Sequence, residues 1–349
     1  MSTSKNVGIL GFAHGHVGMY CARWRESASG GEMGVRVVAG WDHDAARADT
    51  NCQNFGLEKS ESAEALLSRP DIGAVVIASE TSMHADLVEQ AADTGKAIVL
   101  QKPIALTMQE ADRIVEAVNR AGVPFTMAWQ MRVDPHNLQV KSLLAGEEFG
   151  RVFMVRRRHC LATQHMKDFD KSWHVQPELN RDIFADDAAH PIDFIYWLLG
   201  TPASVFAEMG TLLNPAIPND NVIAVFRYAD GTFAEVSCTF VAVAGENTLE
   251  VICENGVIIG NYGDGPSNHV RPAGAPQLKW IMEGQREWTI SDLAEIKGQG
   301  ERIAGLAEPL AEFLHGKRPP IATAEEGRDV LRLVLACYES VEQGRRVNL

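Results

Sequence analysis

Four short, nearly unbroken apolar runs constrain the first third of this chain: residues 7–10, 35–39, 74–78 and 97–100. Runs this short, β-branched and without polar alternation are the pattern of strands buried on both faces. Helical patterns lie between them, one after Gly15, one over 84–94 and one over 107–121, where Thr107 and Glu110 have capping-box spacing. Strand and helix alternating in this way dictate βαβ units and a parallel, doubly wound sheet. Residues 124–129 read as one further strand.

The 349 residues exceed what one core comfortably holds, and the pattern changes after about residue 150. Residues 222–228 and 232–240 flank Asp230-Gly231, and 249–253 and 257–259 flank Asn255-Gly256, both hairpin signals. Polar residues alternate along the second run at Glu235, Ser237 and Thr239, so one face is free for solvent or a second subunit. A helical pattern over 325–343 closes the chain. The expected architecture is α/β: a doubly wound domain over 1–128, then a domain over 129–349 built on an antiparallel sheet.

A net charge of −14 excludes nucleic acid and anionic membrane as main partners, which leaves a small ligand. The six cysteines are scattered without a C-x-x-C pair, as for reduced thiols. Residues 1–5 run into the first strand without the apolar region of a signal peptide, and no stretch reaches the roughly 18 apolar residues of a membrane span, so a cytoplasmic protein is expected.

Directly after the first strand comes the turn Gly11-Phe12-Ala13-His14-Gly15-His16. A dinucleotide fold needs small residues here, because the backbone turns tightly, approaches the pyrophosphate and presents helix amides to it. Gly11 and Gly15 serve, although the G-x-G-x-x-G spacing is imperfect, with Ala13 and His16 in the second and third positions. One of His14 and His16 is expected to be exposed. The second strand ends at Asp42, which either accepts hydrogen bonds from both ribose hydroxyls or caps the next helix. An acid there repels a 2′-phosphate and no arginine follows immediately, though Arg47 is near, so NAD is expected over NADP.

Gln101-Lys102-Pro103 follows the fourth strand, at the edge where open α/β sheets bind ligands. In the second domain, Asp186 and His190 stand four apart, a spacing that lets a carboxylate orient a proton-accepting imidazole on one helical face. Pro191 complicates this: the helix either kinks or begins there, and in the second case Asp187 is the closer partner. A metal held by Asp187, His190, His165 and His174 is not expected for want of compact spacing. Alternation puts at most two of Arg156-Arg157-Arg158 on one sheet face, so a solvated face rather than an anion site is expected.

The turn at Gly11, Asp42, the stretch Ile77 to His84, Gln101-Lys102-Pro103, Arg132-Val133-Asp134-Pro135, Asp186 to Asp193 and the closing Ile321 to Gly327 follow one another in an order that resembles the glucose-fructose oxidoreductase, inositol dehydrogenase and rhizopine-catabolism (Gfo/Idh/MocA) family over nearly the whole chain. The resemblance implies an amino-terminal Rossmann, dinucleotide-binding domain and a second, substrate-binding and oligomerisation domain with a large, mainly antiparallel open sheet, the terminal helix packing back on the first. It also implies a nicotinamide cofactor, a sugar, polyol or related hydroxyl compound as substrate, and homodimers or homotetramers formed through the open sheet. It makes Lys102, Asp186 and His190 the catalytic positions. Ser79, Thr81, His84, Gln101 and Lys102 join the turn and Asp42 as cofactor-binding residues, and Lys102, Trp129, Arg132, His165, Trp173, Asp187 and His190 as substrate-binding ones, with His159 and His174 in neighbouring segments. Two positions depart from the pattern. The glutamate before the lysine is Gln101, and the glycine-rich segment before the aspartate is Asn180-Arg181-Asp182. Competing functions are an NAD-using enzyme that cleaves glycosides by transient oxidation, and a cofactor-binding regulator without catalysis; retention of Lys102, Asp186 and His190 together argues against the regulator.

Overall fold

The alternating first third folds as a six-stranded parallel sheet of order β3-β2-β1-β4-β5-β6. Its strands are β1 (Lys5–Leu10), β2 (Val35–Trp41), β3 (Glu58–Lys59), β4 (Ala74–Ile77), β5 (Ala97–Leu100) and β6 (Phe125–Met127). Helices α1 (His16–Ala28), α2 (Ala45–Phe55), α3 (Ala63–Leu67), α4 (His84–Asp93) and α5 (Met108–Ala121) connect them. This is a computed structural model that describes residues 4–28, 33–243, 245–265 and 274–349.

The register decides where chemistry can sit. Leu10 lies beside Trp41 on one side and Ile77 on the other, and Ile77 beside Leu100. Four strands therefore end level, and the residues that leave them, Gly11, Asp42, Ala78 and Gln101, emerge together at the carboxyl edge. The capping box of α5 forms as its spacing predicts: Thr107 Oγ1 accepts the Glu110 amide, and Glu110 accepts the Thr107 amide. The helix buries Ala111, Ile114, Val115 and Val118, and each of the larger three contributes roughly 1.5–3 kcal/mol of burial.

Contacts divide the chain into two units, Met1–Val133 with Glu178–Asn180 and Arg302–Leu331, and Asp134–Pro177 with Arg181–Glu301 and Arg332–Leu349. The first unit thus includes chain from far downstream. Trp24 Nε1 donates to Ala307 O at 2.7 Å, and the Ile321 amide donates to Thr126 Oγ1 at 2.8 Å.

The second unit holds a nine-stranded sheet of order β14-β13-β12-β11-β7-β10-β9-β8-β15. Its strands are β7 (Val152–Cys160), β8 (Ser204–Gly210), β9 (Asn221–Arg227), β10 (Phe233–Thr239), β11 (Gly245–Cys253), β12 (Gly256–Gly265), β13 (Leu278–Met282), β14 (Thr289–Ile290) and β15 (Val347–Asn348). Both expected hairpins form, β9 with β10 and β11 with β12; among the described residues of this sheet β7 and β10 pair in parallel and the other pairings are antiparallel. Arg156 and Arg158 are exposed on one face, Arg156 pairing with Glu235 and Glu250, while Arg157 is buried with its guanidinium 5.5 Å from the Phe194 ring. Among the described residues no helix is long and apolar enough to cross a membrane.

Candidate active site

Gly11 leaves β1 at φ +84, and a Cβ there would fall 2.4 Å from Ser79 Cα, so only glycine fits. The turn is pinned to its neighbours: the Gly11 amide donates to Trp41 O at 2.7 Å and the His14 amide to Ala78 O at 2.9 Å. Around Gly15 a Cβ would meet nothing within 4 Å, so the turn has an open side. An open, tightly held turn at the start of α1 fits a dinucleotide's pyrophosphate. Phe12 gives its backbone to the site and its ring to the core, 6.5 Å from Phe55 and stacked on it. Against expectation neither histidine is exposed: His14 is buried, His16 half-buried, and their rings meet edge to face at 4.4 Å. Ala13 between them is half-buried.

Asp42 is not the helix cap. Asp44 caps α2, accepting the amides of Ala46 and Arg47. The Asp42 carboxylate instead accepts the Phe12 amide at 2.7 Å, the Asp44 amide at 2.9 Å, and Arg47 Nε and Nη2 at 2.7 and 2.8 Å. Arg47 Nη2 also donates to Glu80 at 2.7 Å. Sequence reasoning noted Arg47 but not this bridge; the signal was its place five residues on, one turn into α2, which aims its side chain back at the strand end.

Around β4 and β5 the expected cofactor residues divide. Thr81 Oγ1 donates to Asn180 Oδ1 at 2.5 Å, so a residue standing in the usual glycine segment holds this turn. Ser79 Oγ donates to Glu80 O. His84 is fully buried, with Nδ1 donating to Pro103 O at 2.9 Å and Nε2 3.3 Å from Ser79 O; burial pushes its pKa down to about 4, so it is a neutral brace between two turns. Gln101, also fully buried, donates to Tyr20 Oη at 2.9 Å. Lys102, 3% exposed, follows it with a cis bond to Pro103. Trp129 is buried, and Arg132 Nη1 donates to Glu326 at 2.8 Å and Ile321 O at 3.3 Å, so the first unit's own carboxylate and backbone occupy that guanidinium.

In the second unit, helix α6 (Pro135–Ala145) precedes β7, and the short helices α7 (Pro177–Asn180) and α8 (Ile183–Asp187) lead to α9 (Ala189–Leu199). Pro191 sits in the first turn of α9, where its missing amide costs nothing, so the helix starts near it rather than kinking. That break rotates the two aspartates apart. Asp186 accepts from His174 Nδ1 at 2.9 Å. Asp187 Oδ1 lies 3.9 Å from His190 Nε2 and 3.7 Å from His159 Nε2. His174 is stacked on Trp173 at 4.0 Å and on Phe169 at 5.8 Å. His165 is exposed, near Val241 O. The departures before Asp186 are locked in place: Asp182 accepts from Tyr338 Oη, from Asn219 Nδ2 at 2.7 Å and from the Ala185 amide, while Arg181, at φ +69, stacks 4.5 Å over the Tyr338 ring. The roles of His159 and His174 went unread; the available signal for His159 was its inward parity on β7 with Val155 and Arg157.

The first unit thus carries a glycine turn, an acid and a lysine at one edge of a parallel sheet, and the second unit carries a buried histidine in the first turn of α9. Residues 5–129 match the family model described as the oxidoreductase family, NAD-binding Rossmann fold, and 137–259 the GFO/IDH/MocA C-terminal domain; the chain belongs to the GFO/IDH/MocA family. It is 30% identical to inositol 2-dehydrogenase of Rhizobium meliloti over 72% of this chain and 74% of that one. It is 29% identical to D-apiose dehydrogenase of Paraburkholderia graminis over 90% and 84%. A solved levoglucosan dehydrogenase, in complex with NADH and levoglucosan, shares the fold at TM-score 0.83 and 19% identity over 99% of each chain.

Proposed function

We propose that the protein oxidises a CH–OH group of a sugar, polyol or related compound with NAD in preference to NADP, as a cytoplasmic homo-oligomer paired through the open sheet. The observation that carries this is a lysine and a histidine each at least nine-tenths buried, Lys102 at 3% and His190 at 4% exposure, in a family of dehydrogenases. His190 takes the hydroxyl proton. Lys102 donates a hydrogen bond to the alkoxide as its charge develops. Asp187, beside His190, favours the imidazolium that results. When bound, the nicotinamide supplies the hydride acceptor. Preference for NAD is supported by local charge: Arg47 stands between two carboxylates, Asp42 and Glu80, so the cluster is net negative and disfavours a 2′-phosphate.

The test is absorbance at 340 nm with NAD and, separately, NADP against sugars, inositols, sugar acids and glycosides. NADH formation with a polyol is expected. Lys102→Ala and His190→Ala variants that both keep near wild-type turnover overturn the residue roles, and activity confined to NADP overturns the cofactor preference.

A further inference from the structure

Asp42 follows the end of β2, Glu80 follows the end of β4, and the two carboxylates share one guanidinium. Each oxygen of Asp42 holds one backbone amide and one nitrogen of Arg47: Oδ2 accepts from Phe12 and Nε, Oδ1 from Asp44 and Nη2. Glu80 is not filled in the same way. Its Oε1 accepts from Arg47 Nη2 at 2.7 Å, while Oε2 is buried and has no hydrogen-bond partner among the described residues. His43 Nδ1 is 3.6 Å from Oε2, beyond a hydrogen bond. A buried carboxylate oxygen without a donor is destabilising, so this one calls for a partner. A donor is at hand, since Arg47 Nη1 bonds nothing among the described residues. The Arg47 side chain is 23% exposed, against 0% for Asp42 and 4% for Glu80, so the guanidinium is the member with room to move.

We infer that Glu80 is the residue onto which Arg47 withdraws when Asp42 accepts the hydroxyls of the adenosine ribose, and that Glu80 thereby sets the choice between NAD and NADP. The inference rests on the preference for NAD proposed above. The exchange balances group by group. Asp42 gives up two Arg47 nitrogens and gains two hydroxyl donors, one on each oxygen, while the Phe12 and Asp44 amides keep it in place. Arg47 gives up Asp42 and gains Glu80 Oε2, which turns its one bond to Glu80 into the paired fork that guanidinium and carboxylate prefer. The three side chains carry the same net negative charge before and after. A 2′-phosphate does not drive the exchange, because it has no hydroxyl hydrogen for Asp42 and adds negative charge beside two carboxylates. Glu80 is thus a positioning residue that acts through Arg47.

The test is a double-mutant cycle on the full-length protein, with the Kd of NADH and of NADPH read by fluorescence titration at one fixed pH. Glu80→Gln is expected to weaken NADH roughly tenfold or more, as for loss of a hydrogen bond to a charged group, and to leave NADPH unchanged or tighter. In an Arg47→Leu background the same Glu80→Gln change is expected to move the NADH Kd by less than about twofold, because no guanidinium is left to hold. Arg47→Leu alone is expected to bind NADH at least as tightly as the wild type, which keeps the inference testable should Glu80→Gln not fold. Equal losses for the two cofactors, an undiminished Glu80→Gln effect without Arg47, or weaker NADH binding in Arg47→Leu alone overturns the inference. The cofactor preference is scored separately, on the wild type. Tighter binding of NADPH than of NADH there brings down the preference for NAD, whereas a Glu80→Gln effect that depends on Arg47 still stands for the withdrawal.

Discussion

Asp42 and Asp187 are both carboxylates beside a site, and they are held in opposite ways. Asp42 accepts four donors at 2.7–2.9 Å, two backbone amides and two nitrogens of Arg47, all within the first unit. Asp187, in the second, faces two imidazole nitrogens at 3.7 and 3.9 Å. The first arrangement is complete in the protein alone, and a ribose must compete with Arg47 to join it. The second keeps both imidazole nitrogens beyond direct hydrogen-bond range of the carboxylate. A carboxylate that fixes a cofactor's position gains from rigidity, whereas one that serves a reacting group gains from room.

The largest effect that separates the two is chemical. Replacing His190 or Lys102 with Ala should lower kcat by about 10²–10⁴ while NADH binding, read by fluorescence, changes little; equal losses in both readouts would mean these residues act on the cofactor side. Gly11→Ala strikes that side, since its Cβ would meet Ser79 Cα at 2.4 Å at a positive φ. A loss of roughly 2–4 kcal/mol in urea unfolding, with NADH binding lost alongside, is expected.

His84 tests how far the first unit's rigidity depends on a neutral imidazole. Its pKa falls from the ordinary 6.5 to about 4, so between those values the unfolded chain takes up a proton that the folded one refuses. Stability present above pH 6.5 should decline by up to roughly 1.4 kcal/mol per pH unit as pH falls through this window, about 3 kcal/mol in all. His84→Gln should remove this share of the slope, measured as urea midpoint against pH. Smaller still, Asp42→Ala should reduce the NAD-to-NADP ratio of kcat/KM by about 10- to 100-fold, the scale of one lost charged contact. An unchanged ratio would leave Asp42 as a brace for the turn.

How much was legible follows the range of the forces involved. Short apolar runs, the capping box at Thr107 and Glu110 and the two hairpins rest on neighbours in sequence, and each appears where its pattern stands. Lys102 and Asp42 lie at strand ends, so the parallel register carries them to one edge. The partners of Asp186 and Asp187 were only half legible: His190 beside Asp187 was one of two alternatives, and His174 beside Asp186 was missed. They depend on where the chain breaks between α8 and α9, and on loop residues such as His174 brought back by tertiary packing. Arg132 taught the same lesson from the other direction: a polar side chain near a site can be used up by a distant segment, here Ile321 and Glu326.

The six cysteines have a practical consequence. All are free and buried, and burial raises every one of their thiol pKa values, Cys253 to about 11. Folded molecules therefore present almost no thiolate, and an alkylating reagent reports only those that have opened. The rate at which label accumulates becomes a clock for unfolding events, and a single cysteine introduced at the surface would carry a dye with little competition from the native six.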